Sequence, residues 1–111
     1  MEQYDKADDY FLQALTVYRQ ISQGADNVDI ANTLFNLAIN YRRMEQYNKA
    51  EDYYLKVLAM YRQISQGADS VDIAKTLNNL GYNHAAAYQV KRSMETSSRY
   101  LHEIRPTESK R

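Results

Sequence analysis

Residues 31–58 read ANTLFNLAINYRRMEQYNKAEDYYLKVL, and apolar or small side chains recur in and around this stretch at helical spacing. One set is Ile30, Leu34, Leu37, Ala38 and Tyr41; a second is Tyr47, Ala50, Tyr54, Val57, Leu58, Tyr61 and Ile64. Only Met44 to Gln46 separates them, which leaves room for nothing but a tight turn between antiparallel helices. The stretch is a helical hairpin, an A helix followed by a B helix.

Working outward, the hairpin proves to be a repeat. Met1 to Arg43 aligns on Met44 to Ala86 without a gap, and 28 of the 43 pairs are identical. A period of this size, within the range of about 20 to 50 residues, marks stacked solenoid units that cannot bury their apolar faces alone. The segment SQGADS at Ser65 to Ser70 supplies the turn between units. There Gly67 can take the left-handed conformation that ends a helix, and Ser70, or Asn27 in the other copy, can cap the next one. Asp29 and Asp72 follow in the first helical turn, where the helix dipole favours a carboxylate.

Helices are expected at about residues 3–23, 28–44, 47–65, 71–87 and 90–105, in the order B, A, B, A, B. Residues 1–105 then form one repeat domain: a partial repeat over 1–27, a full repeat over 28–70, and over 71–105 a repeat whose second helix is a degenerate cap. Thr96, Ser97 and Ser98 stand where the full repeat has Tyr53, Tyr54 and Leu55, and a polar outer face suits a terminal helix. Pro106 is expected to stop that helix and residues 106–111 to form a disordered tail. The chain begins inside a repeat, so Tyr4, Ala7, Phe11 and Leu15 lack the A helix that would pair with theirs. They are the candidate oligomer interface.

The composition narrows the function. The chain has 111 residues, 14 Lys+Arg against 14 Asp+Glu, no Cys, three Gly and 11 Tyr. Without cysteine there is no disulfide framework or thiol nucleophile. Neutral charge argues against nucleic acid as a partner, and the lack of a long apolar run argues against a membrane span or signal peptide, so a cytoplasmic location is expected. His84 and His102 sit in no metal or triad spacing; His84 replaces the tyrosine matched by Tyr41 and reads as its half-buried stand-in. Asp8-Asp9 and Glu51-Asp52 read as solubilising surface, and no phosphate-binding or calcium loop occurs. No catalytic residue, metal or cofactor is expected, and the chain is not read as an enzyme.

Leu34, Leu37, Ala38, Tyr41, Tyr47, Ala50 and Tyr54 resemble the small-and-large signature of the tetratricopeptide repeat. The quoted 28-residue string, with the loops Gly24 to Ala31 and Gly67 to Ala74, is similar to the long-period subtype of kinesin light chains. The resemblance covers residues 1–88 closely and 89–105 in outline. It departs from the subtype in lacking loop prolines, in Val57 where alanine is favoured, and in having no preceding coiled coil. It implies an all-α fold, a right-handed superhelix of antiparallel helix pairs of about 2.5 repeats plus a C-terminal capping helix. It also implies a protein-interaction scaffold whose A helices line a concave groove.

Helical geometry supplies candidate groove residues independently. At roughly 100° per residue, Asn32, Phe35, Ile39, Arg42 and Arg43 fall on an arc separate from the buried stripe. These five positions differ between the copies, their partners being Lys75, Asn78, Tyr82, Ala85 and Ala86. Asn36 and Asn79, at the edge of that arc, resemble the asparagines with which the family holds a peptide backbone, and an amide carries both donors and acceptors. Phe35 and Ile39 serve equally well as contacts to a neighbouring B helix. The leading reading is capture of an extended peptide on Asn32, Phe35, Asn36, Ile39, Arg42, Arg43, Lys75, Asn78, Asn79 and Tyr82. The alternative is a self-assembling module, or a fragment of a longer array, that associates through its first helix.

Overall fold

A computed structural model describes the backbone of residues 2–109 and the side chains of residues 2–101. Four helices follow one another: α1 (Glu2–Ile21), α2 (Val28–Arg43), α3 (Tyr47–Ile64) and α4 (Val71–Ser109). Each packs on its neighbours in chain order, α2 against α1 and α3, and α3 against α4. This all-helical arrangement is that of an α-solenoid.

The seam between helices follows the spacing, except that Tyr47 is half-buried and Ile64 stays exposed. Ile30, Leu34, Leu37, Ala38 and Tyr41 of α2 and Ala50, Tyr54, Val57, Leu58 and Tyr61 of α3 are all buried. Leu15 of α1 joins this core, with Phe11 and Tyr18 packed against it. Burial of this apolar surface stabilises the stack by about 25 cal/mol for each Å² removed from water.

The helix ends follow from side-chain chemistry. Asn27 accepts a hydrogen bond from the Ile30 amide at 2.9 Å, and Ser70 accepts one from the Ile73 amide at 3.1 Å. At the other ends, the Gly24, Gln46 and Gly67 amides donate to the carbonyls five residues back, Arg19, Tyr41 and Arg62, at 3.0, 2.9 and 3.1 Å. That pattern requires a left-handed residue just before each donor. Gln23 (φ 56°), Glu45 (φ 62°) and Gln66 (φ 54°) fill those places. Gly67 is itself left-handed at φ 84°, yet the residue that closes α3 is Gln66, one position earlier than expected.

Two buried asparagines tie the layers together. The side-chain amide of Asn40 in α2 donates to the Tyr4 carbonyl of α1 at 2.9 Å. One repeat later, Asn83 in α4 donates to the Tyr47 carbonyl of α3 at 3.0 Å.

The C-terminal end departs from expectation. Helices over 71–87 and 90–105 are instead one helix of 39 residues, with no turn at residues 88–89. The capping segment does not fold back, and α4 continues past Pro106 to Ser109; residues 110–111 of the expected tail lie outside the described residues. Ala87, Tyr88 and Gln89 stand where Met44, Glu45 and Gln46 make the first turn. The run Ala85 to Ala87 favours continued helix. The outcome is an elongated molecule of 68 × 32 × 18 Å.

Candidate functional site

A cavity of 310 Å³ opens between α2, α3 and α4, lined by Asn32, Phe35, Asn36, Tyr61, Asp72 and Lys75. Four of these are groove candidates from the sequence, and stacking of successive A helices brings them together. Among the described residues the Asn36 amide, exposed at the rim, has no hydrogen-bond partner and is free to serve a ligand. Asn32 is engaged already, because the Tyr61 hydroxyl donates to its Oδ1.

Phe35 and Ile39 are half-buried and pack against the core. The Phe35 ring meets Tyr54 of α3 edge-on, with centroids 5.8 Å apart. Phe35 therefore does both jobs, bracing α3 and walling the cavity, whereas Ile39 only packs. Arg42 is half-buried and Arg43 exposed. Asn79 spends its amide on the Lys75 carbonyl of its own helix at 2.8 Å. Asn78 and Tyr82 are exposed further along α4, away from the cavity wall.

Nothing in the sequence marks Tyr61 and Asp72 as groove residues. Tyr61 is identical to Tyr18 and reads as packing; Asp72 reads as a dipole partner at a helix start. Both roles hold, and the cavity uses their polar tips besides. Burial raises the Tyr61 hydroxyl above its usual range, and the Asp72 charge adds to the effect. Tyr54 is raised by burial too, against an opposing pull from Arg42 and Arg43. Tyr41 is raised furthest, first by burial and then by the Asp8 carboxylate beside its hydroxyl. All three hydroxyls remain neutral at ordinary pH.

A second, roomier notch of 790 Å³ lies between the α2–α3 turn and the far half of α4, where Tyr47, Ala87, Val90 and Met94 give it an apolar wall. It exists because α4 runs straight.

Two sequence expectations change. Leu15 is only 5% exposed and Phe11 packs against the core, so these residues already have α2 as partner. Tyr4 and Ala7 are likewise half-buried. The open face of α1 is a different one, marked by Tyr10, Val17 and Ile21, which are 70%, 51% and 74% exposed. His84 is exposed rather than half-buried, since no B helix covers it; the side chain of His102 lies outside the described residues.

A family model described as Tetratricopeptide repeat matches residues 1–63, more than half of the chain. The chain belongs to the tetratricopeptide repeat family. Its match spans α1, α2 and all but the last residue of α3, the part with the tightest core. Tetratricopeptide repeats generally mediate protein–protein interaction and are typically non-catalytic scaffolds. No curated protein matches the chain. Among the described residues, no group of three or more His, Asp or Glu is placed to hold a metal ion. No described helix is long and apolar enough to cross a membrane.

Proposed function

We propose that this tetratricopeptide repeat domain is a non-catalytic interaction module that holds an extended peptide segment of a partner protein. The observation that carries the reading is the cavity between successive A helices, where the free amide of Asn36, the aromatic wall of Phe35 and the cation of Lys75 converge. An amide can bond a peptide backbone without reading its sequence, and the lysine attracts a carboxylate. The 43-residue period and the two matching loops favour the long-period, kinesin light chain-like subtype.

The test is a phage-displayed peptide library selected on the immobilised chain. Asn36→Ala with Asn79→Ala is expected to abolish capture of the selected peptides while helical circular dichroism and Tm stay nearly unchanged. Asn36 should account for most of the loss, since Asn79 is occupied on its own helix. Peptide binding that survives both substitutions would remove the groove from consideration.

A second reading has its own support. Tyr10, Val17 and Ile21 form an unpartnered apolar stripe on α1 at helical spacing. Self-assembly through the first helix would cover it.

A further inference from the structure

The repeat allows each exposed position to be compared with its buried equivalent. Among the described residues α3 packs on two helices, α2 and α4, whereas α1 packs chiefly on α2. Any position covered in α3 but open in α1 is therefore one that α2 covers in α3. Tyr10, Val17 and Ile21 correspond to Tyr53, Met60 and Ile64. Met60 is 8% exposed where Val17 is 51%, Ile64 is partly covered at 39% where Ile21 is 74% exposed, and Tyr53 stacks on Tyr41 of α2 with centroids 5.3 Å apart. The open stripe of α1 is the face that α3 presents to α2.

The same subtraction applies at the other end. α2 packs against both α1 and α3, whereas the first half of α4 packs chiefly on α3. Ala31, Leu34, Ala38 and Tyr41 of α2 are all buried at 3% or less. Their equivalents Ala74, Leu77, Gly81 and His84 are exposed, Leu77 by 46%. The open stripe of α4 is the face that α2 presents to α3. The molecule thus carries, at opposite ends, the two halves of a junction that it already forms internally.

We propose that the α1 stripe of one copy docks on the α4 stripe of a second copy, reproducing between chains the α2–α3 contact. The proposal rests on the self-assembly reading and names the surface that α1 meets. Tyr10 would lie on His84 as Tyr53 lies on Tyr41, and Val17 and Ile21 would pack along Leu77 and Gly81. The charges do not oppose this pairing: α1 carries four acids and two bases, a net of −2, and residues 71–87, which bear the α4 stripe, carry one acid and one base, while Lys91, Arg92 and Arg99 follow beyond them. The contact is heterologous, so each copy keeps one free end and growth is open unless a ring closes.

Gly81 provides a clean probe. Nothing lies within 4 Å of a Cβ placed there, so Gly81→Arg fits the single chain, yet it would fill the place that Ala38 keeps fully packed. Sedimentation velocity over a concentration series on the full chain is expected to show a ladder of species. Gly81→Arg and Val17→Asp should each be monomeric, with helical circular dichroism intact. An equimolar mixture of the two should form a one-to-one heterodimer and nothing larger, because one sound α1 stripe meets one sound α4 stripe. Tyr10→Lys and Leu77→Asp serve as the second pair should either first variant lose its fold.

If Gly81→Arg associates like the wild type while Val17→Asp does not, α1 pairs with itself. That outcome overturns head-to-tail docking and leaves the self-assembly reading standing. A wild-type chain that stays monomeric at every concentration overturns both, the faces then being covered by flanking repeats or by residues 88–101 folding back.

Discussion

α3 and the far half of α4 hold the same place in the repeat and behave in opposite ways. α3 turns back on α2 and buries Ala50, Tyr54, Val57, Leu58, Met60 and Tyr61. The aligned residues of α4 include Ser93, Ser97, Tyr100 and Leu101, and all are exposed on a helix that runs straight on. A hairpin needs both a residue that accepts the left-handed turn and a seam that gains by closing. At Glu45 the α3 seam offsets a left-handed residue that is itself unfavourable, whereas beyond Tyr88 two of the seam positions have become serine.

The largest effect that would break the contrast is loss of the α3 seam. Tyr54, fully buried, is expected to cost about 3–5 kcal/mol as Tyr54→Ala, whereas Leu101→Ala in the extension should stay within about ±0.5 kcal/mol. Urea denaturation followed by circular dichroism gives both values, and similar costs at the two sites would mean that the extension is packed after all.

Alkali tests the same seam through its hydroxyls. Tyr41, Tyr54 and Tyr61 are raised above the ordinary tyrosine value when folded, so the unfolded chain releases their protons first. Their contribution is fully present below about pH 10 and is lost as pH climbs beyond it, by at most about 1.4 kcal/mol per pH unit for each tyrosine. Tm measured across that range, alongside tyrosinate absorbance, should fall as pH rises. A flat profile would show that these hydroxyls are already solvated.

The smallest effects are at the two turn positions. Glu45→Gly relieves a left-handed glutamate and is expected to stabilise the fold by up to about 1 kcal/mol. Tyr88→Gly weakens the straight helix at the equivalent place by about 1 kcal/mol, and small-angle scattering should report a radius of gyration below the present 19.3 Å as the extension bends. An unchanged radius would assign the straightness of α4 to its seam residues rather than to its missing turn.

What was legible in the sequence was whatever the repeat writes twice. The buried stripe of Ile30, Leu34, Leu37, Ala38 and Tyr41 and the caps at Asn27 and Ser70 follow from spacing and local hydrogen-bonding chemistry, and the duplication checks each against its copy. Glycine drew attention to Gly67, but the helix closes on Gln66, because the hydrogen-bond pattern rather than the residue type decides which position turns left-handed. The course of α4 depends on a turn that fails to form, and no periodic signal records a failure. Of the cavity residues, Asn36 and Lys75 share an arc that helical spacing alone marks. Tyr61 comes from a different helix, and Asp72 lies at a helix start, so only packing reveals that they share the cavity. The open face of α1 escapes the sequence for a related reason: apolar spacing identifies a stripe but not which neighbour it meets.

The Asn40 and Asn83 hydrogen bonds have a consequence for how such a chain lengthens. Each unit brings its own donor, and its acceptor is a main-chain carbonyl, which any preceding unit possesses whatever its side chains. A duplicated unit therefore arrives already indexed to the one before it, like a tooth that engages any rack of the right pitch. Side chains elsewhere are then free to diverge, copy by copy, without letting one layer slide along the next.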